Sequence, residues 1–193
     1  MKQVLNFALF YAGWIACVAG AGQGLPWLGP ALMVPLLGIQ AWLTPNLKRE
    51  VRFLAILGML GLGLDSVFAL TGVLEYVPFP WPPPVAPLWI GALWVLFGTT
   101  LGRSLSWLGQ KPWLAALLGL LGGPGSYLAG ERLGAVAFSL PTPVSLVLIG
   151  AGWGLAMPLL YRLHDRLAPE VAAAAREALA GGRPETPGDP AKS

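Results

Sequence analysis

Residues 51–74 read VRFLAILGMLGLGLDSVFALTGVL. Beyond Arg52 this run holds one ionisable side chain, Asp65, among apolar residues, and it shows no two-residue alternation. A helix needs about 20 mostly apolar residues to cross a hydrocarbon core of about 30 Å. Lipid offers an unpaired backbone no hydrogen-bond partner, so such a run must be helical. Val51–Leu74 therefore reads as a transmembrane helix carrying one internal acid. Val4–Gly20, Leu25–Leu43, Leu88–Leu108, Trp113–Gly130 and Val144–Tyr161 read the same way. A transmembrane barrel would show alternating segments of about ten residues. The expected fold class is all-α: a polytopic membrane protein, a bundle of about six transmembrane helices.

Composition agrees with a lipid-embedded chain. Of 193 residues 55% are hydrophobic and 11% charged, against roughly 25% charged in a soluble domain. Of the 21 charged side chains (12 basic, 9 acidic), 9 fall within residues 165–193. Residues 1–164 then form the six-span domain and residues 165–193 a cytoplasmic tail, with a short helix over 169–180 followed by disorder. One cysteine and one histidine exclude a disulfide scaffold and a Cys/His metal cluster. No Walker loop, dinucleotide fingerprint or HExxH sequence occurs, so no cofactor, no metal and no catalytic residue is expected. The basic balance reflects topology and gives no reason to expect nucleic acid as a partner.

Lys/Arg bias orients the bundle. With the N-terminus inside, 11 of the 12 basic residues face the cytoplasm, and Arg132 alone, beside Glu131, lies outside. The loop Glu75–Pro87 contains no Lys or Arg, as a translocated loop should, and its six prolines favour a stiff connector. Both termini are expected to be cytoplasmic. Ala19-Gly20-Ala21 after the first span invites a reading as a cleavage site, but the apolar run is long for a signal peptide and contains Trp14, so the span is read as retained. Leu133–Leu140 is too short to span and is expected in the outer interface or as a re-entrant segment.

Small residues let helices approach closely in lipid. Ala12, Ala16, Gly20 and Gly24 form one stripe, Gly119 and Gly123 a second, Gly150 and Gly154 a third; each fits intramolecular packing or a homodimer seam. Pro35, Pro124 and Pro158 fall inside spans and should kink or break them, most severely at Gly122-Gly123-Pro124-Gly125. No convincing repeat relates the two three-helix halves.

Asp65 lies 14 residues beyond Val51, about 21 Å along the helix, and Tyr127 lies 14 residues beyond Trp113. Both should therefore sit at one depth. An intramembrane acid by default suggests function, and Asp65, Ser66, Ser126, Tyr127 and Glu131 form the candidate intramembrane polar cluster. A hydrogen-bonded Asp that merely fixes helix packing is the plainer reading. Arg103 lies about 8 Å inside the cytoplasmic boundary. With Ser104, Lys48, Arg49, Arg52 and Lys111 it is a candidate contact for lipid headgroups, or it snorkels with no specific partner. Asn6 and Gln23 read as helix-end polar groups. Trp14 and Trp153 lie deeper than an aromatic belt, as core packing or as walls of an apolar ligand pocket.

Five phrases carry a resemblance: NFALFYAGWIACVAGA (6–21), LPWLGP (25–30), LGLDSVFALTGVL (62–74), APLWIGALWVLFGTTLGRSLSWL (86–108) and GGPGSYLAGERLGAV (122–136). Their order and spacing resemble an uncharacterised bacterial inner-membrane family, the domain of unknown function number twenty-eight seventy-eight, over residues 4–162. The resemblance implies a multi-pass protein of the bacterial inner (cytoplasmic) membrane associated with membrane-lipid modification, and it transfers no catalytic residue. The expected function is a lipid- or partner-binding accessory, with membrane lipids, a second copy or another membrane protein as partner. Two alternatives stand beside it: a small proton-coupled carrier using Asp65, and an intramembrane lipid-modifying enzyme. A lateral apolar pocket would favour lipid handling, an aqueous vestibule transport, and a filled bundle a scaffold.

Overall fold

The structure, a computed structural model, describes residues 2–42, 44 and 46–167. Among these residues six α-helices follow the apolar stretches: α1 Lys2–Gly22, α2 Leu28–Trp42, α3 Leu47–Leu70, α4 Leu88–Leu101, α5 Pro112–Arg132 and α6 Thr142–Leu167. Four of them, α1, α3, α5 and α6, are long and apolar enough to cross a membrane. Their mid-helix side chains say the same: Met59 is 67% exposed and Leu155 72%, an arrangement that lipid stabilises and water penalises. The protein is a membrane protein built from apolar helices.

The remaining two helices are shorter than expected. α2 has 15 residues and α4 has 14, about 21–22 Å at the helical rise against a hydrocarbon core of about 30 Å. The expected Leu88–Leu108 helix stops at Leu101. Thr99 and Thr100 bond back to the carbonyls of Leu96 and Phe97, Leu105 N donates to Thr100 O, and a 3₁₀ turn follows over Ser106–Gln110. α4 carries no charge and is buried on most of its surface, from Trp89 and Ile90 to Thr100 and Leu101. It forms the centre of the molecule, packed by α1, α2 and α3. A helix apolar all round belongs there.

α5 and α6 form a tight pair. A Cβ built at Gly119 would lie 2.4 Å from the Trp153 carbonyl oxygen, and one at Gly150 would lie 2.9 Å from the Leu120 carbonyl oxygen. The two glycine stripes therefore face each other inside one chain. The Leu120 carbonyl, which Pro124 leaves without its helical donor, lies against this seam. None of Pro35, Pro124 or Pro158 ends its helix, so the expected break at Gly122–Gly125 does not occur.

The fold is all-helical as expected, with one two-stranded sheet beside the helices. Leu74–Tyr76 (β1) and Val136–Phe138 (β2) pair antiparallel, Leu74 opposite Phe138 and Tyr76 opposite Val136. The short apolar stub beyond α5 thus contains a strand, and α3 ends at Leu70, before the predicted Leu74. Both strands follow the same helix ending. Gly72 (φ +69°) and Gly134 (φ +77°) take left-handed backbone. Val73 N then reaches Phe68 O, and Ala135 N reaches Gly130 O, both at 2.9 Å. These are the six-to-one bonds that close a helix on glycine. α6 runs six residues past its expected end at Tyr161, which places His164 inside the helix, edge-on to Phe53. The predicted helix over 169–180 and the tail after it lie outside the described residues.

Candidate functional site

Asp65, on α3 seven residues before Gly72, is fully buried. Tyr76 of β1 donates its hydroxyl to Asp65 Oδ1 at 2.7 Å, Trp94 of α4 donates Nε1 to Oδ2 at 2.6 Å, and Tyr127 of α5 donates its hydroxyl to Oδ1. Two phenols and one indole from three different elements thus converge on one carboxylate. The indole is a donor only, so Oδ2 must act as an acceptor. Trp153 of α6 stacks on Trp94 with ring centroids 4.5 Å apart. Its buried Nε1 has no hydrogen-bond partner among the described residues.

Of the expected cluster, the structure joins Asp65 to Tyr127 and sets the other three apart. Ser66 donates to Leu62 O at 2.7 Å and accepts from Ala86 N at 3.0 Å, fastening α3 to the proline-rich loop. Ser126 accepts from Trp14 Nε1 at 3.1 Å, a tie between α5 and α1. Glu131 is half-buried and takes no part in the bonds to Asp65. Tyr76 and Trp94 were missed by sequence reasoning. Tyr76 was placed in a loop, and Trp94 was one apolar residue among many.

A half-open cavity of about 510 Å³ lies between α1, α4, α5 and α6. Its walls include Trp14, Phe97, Gly123 and Trp153, and also Trp94 and Tyr127, the two residues that hydrogen-bond Asp65 from α4 and α5. Tyr11 of α1 and Leu118 of α5 line it and are exposed, 53% and 40%, which places the opening between those two helices. Gly122 and Gly125 also line it, and a Cβ built on either meets nothing within 4 Å. Both tryptophans that sequence placed below the aromatic belt, Trp14 and Trp153, stand on this cavity.

A second polar cluster occupies the opposite end of α4. Asn6 Nδ2 donates to Thr99 O and Oγ1 at 3.3 and 3.2 Å, and Ser104 Oγ donates to Asn6 Oδ1 at 2.7 Å. Gln40 Nε2 donates to Thr99 Oγ1 at 3.4 Å. Arg103 turns inward instead of snorkelling. Its guanidinium meets Glu50 Oε1 at 2.7 Å and Thr99 O at 3.0 Å, and it also donates to Thr44 Oγ1. Arg103 and Ser104 are therefore engaged within the protein, while Lys48, Arg52 and Lys111 are exposed and Arg49 is half-buried. Asn6 is a fully buried joint between α1 and α4 rather than a helix-end group.

Among the described residues no group of three or more His, Cys, Asp or Glu is placed to hold a metal ion. A family model described as a protein of unknown function (DUF2878) matches residues 3–159. No curated protein matches, and no solved structure does.

Proposed function

This chain belongs to the DUF2878 family of proteins of unknown function, and from that premise we propose that its cavity holds one hydrocarbon chain of a lipid or lipid-like ligand. The observation that carries this reading is the apolar, half-open cavity of about 510 Å³ between membrane helices. Its size falls within the range of about 300–1,000 Å³ typical of ligand pockets. A sealed apolar cavity of about 150 Å³ takes one benzene, so the space here suits a chain of roughly twenty carbons. The opening between α1 and α5 gives onto the apolar flank of those helices, so a ligand arrives from the bilayer. In this reading the protein is an accessory that holds a lipid for a lipid-handling partner in the bacterial inner membrane. The Arg103 end and the exposed Lys48, Arg52 and Lys111 face the cytoplasm, where basic residues collect.

The test is purification in native lipid, with mass spectrometry of what is retained. Wild type should carry one lipid class enriched over the bulk membrane. Gly122→Phe, which places a ring where a Cβ meets nothing within 4 Å, should lose that enrichment without losing thermal stability. Equal lipid profiles for the two, or no enrichment in wild type, overturn the reading.

A further inference from the structure

We infer that the ligand is a phosphate-bearing lipid, its chain lying between α1 and α5 and its phosphate meeting Lys2 and Lys111. This inference rests on the cavity being a ligand site, and it names the headgroup and the end of the bundle at which the headgroup sits.

The slot between α1 and α5 is shut at the end that carries the sheet. A Cβ at Gly22 of α1 would run into the Leu133 carbonyl just beyond α5. One at Gly130 of α5 would lie 3.4 Å from Val136 Cγ2 and 3.8 Å from Val18 Cγ1, so α1, α5 and β2 meet there. The hydrogen bond from Trp14 to Ser126, at 3.1 Å, is a third tie. Away from the sheet the lining opens. On α1 it passes from buried Val18 through half-buried Trp14 to exposed Tyr11. On α5 it passes from buried Gly130 through half-buried Ser126 to exposed Gly122 and Leu118. The floor keeps pace, continuing past the end of α4 to Leu105 and Leu108. A lipid chain enters such a wedge tail first, and its polar head stays at the wide end.

Each helix flanking the wide end carries a lysine where it starts: Lys2 opens α1 and Lys111 precedes α5. Both are exposed. Lys2 lies nine residues before Tyr11, about 14 Å along α1, and Lys111 seven residues before Leu118, about 10 Å along α5. Trp107 and Trp113, 49% and 68% exposed, stand at the same end as Lys111, and exposed tryptophans mark the headgroup level. An ammonium group binds phosphate as a point charge. Near a membrane surface each lysine is worth about five-fold in affinity for an anionic headgroup, so the pair is worth about 25-fold.

The test uses the full chain in dodecyl maltoside micelles at low salt. Oleoyl lysophosphatidic acid and monoolein, which differ only in the phosphate, are titrated in turn. Bound probe is counted by native mass spectrometry and referred to each probe's partition into empty micelles. Wild type should bind the phosphate-bearing probe about 25-fold more tightly than monoolein. Lys2→Gln with Lys111→Gln should bring it down to the level of monoolein and leave monoolein binding unchanged. Lys48→Gln with Arg52→Gln removes as much charge from α3, which does not line the cavity, and should keep the preference. Equal binding of the two probes in wild type overturns the inference. So does a preference that survives the loss of Lys2 and Lys111, or one that falls equally with Lys48 and Arg52, the mark of a general surface field. Binding of both probes that Gly122→Phe leaves intact would place the site elsewhere and overturn it too. Should neither probe bind wild type, the cavity reading itself falls; should monoolein bind as well as lysophosphatidic acid, only the headgroup assignment does.

Discussion

The bond between Trp94 and Asp65 should be the strongest tie holding α4 to α3, and a double-mutant cycle measures it. Among the described residues Trp94 Nε1 is the one donor on Oδ2, at 2.6 Å, at a buried site. Hydrogen bonds to charged groups contribute about 1.5–3 kcal/mol in soluble proteins, whereas side-chain bonds between membrane helices average about 0.6 and reach about 1.7 kcal/mol. Full burial and a short bond place this one at the upper membrane figure, about 1.5 kcal/mol. Asp65→Ala removes the acceptor from the indole N–H and should cost about 2–3 kcal/mol. Trp94→Phe removes the donor and trims the stack on Trp153, an aromatic pair of about 0.5–1.5 kcal/mol, and should also cost about 2–3 kcal/mol. Were the two independent, the double variant would lose the sum. With a coupling of about 1.5 kcal/mol it should lose that much less. Reversible unfolding in mixed detergent micelles, or steric trapping in bilayers, reads all four corners. A coupling below about 0.3 kcal/mol, the scatter of independent sites, refutes the claim that this bond joins the two helices.

Three further outcomes follow from the geometry. Gly119→Ala drives a methyl to within 2.4 Å of the Trp153 carbonyl oxygen and should cost about 1–3 kcal/mol by forcing α5 from α6; Gly125→Ala, with open space at its Cβ, should be neutral or slightly stabilising in the same thermal melt. Glu50→Ala leaves the Arg103 guanidinium, 14% exposed, without its carboxylate, and should destabilise by about 3 kcal/mol; adding Arg103→Met should restore part of that loss, and a double variant less stable than Glu50→Ala would contradict the pairing. Gly134→Ala, at φ +77°, should cost about 1–2 kcal/mol from left-handed strain, measurable as a lower midpoint with unchanged helicity.

Helix existence was legible because apolar run length is a local property. α1, α3, α5 and α6 follow directly from it, and Gly72 and Gly134 sit where helix-ending glycines belong. Helix length was less legible. Residues 102–108 hold Arg103, Ser104 and Ser106 among apolar residues, and Arg103 is drawn into the protein by Glu50, 53 positions away in sequence, a contact that no window of neighbours contains. Asp65 announced itself through the rarity of intramembrane acids, and Tyr127 through matched depth. Tyr76 and Trp94 did not. The first reaches Asp65 only because β1 folds back over α3, and the second only because α4 runs down the centre. The error at Ser66 and Ser126 has a common cause: a neighbour in sequence on a helix points about 100° away from its partner, so it shares the depth of Asp65 or Tyr127 but not the direction.

The meeting of Asp65 with Tyr127 has a deeper source than equal depth. Each lies seven residues before a left-handed glycine that ends its helix and starts a three-residue strand. The two strands pair antiparallel about Glu75 and Ala137, which relates the two helix–glycine–strand units by a local two-fold axis. Positions equivalent under such an axis face one another wherever they lie near it. A repeat this short, Thr71-Gly72-Val73-Leu74 against Leu133-Gly134-Ala135-Val136, is too weak to see as a repeat of three-helix halves, yet it fixes which residues converge. The two-fold position also limits what can stand there. Two carboxylates would compete for one proton at hydrogen-bond distance, and two phenols would leave Tyr76 and Trp94 without the carboxyl oxygens that accept from them. One acid and one hydroxyl is the pairing that satisfies Tyr76, Trp94 and Tyr127 together. Exchanging the two, with Asp65→Tyr and Tyr127→Asp together, should therefore fold better than either single replacement, because it restores one acid and one phenol at the meeting point. Trp94 and Tyr76 approach that point from one side only, so the exchange should remain less stable than wild type. Limited proteolysis of the three variants in bilayers ranks them, and a double exchange no more resistant than the worse single would show that the axis does not govern the site.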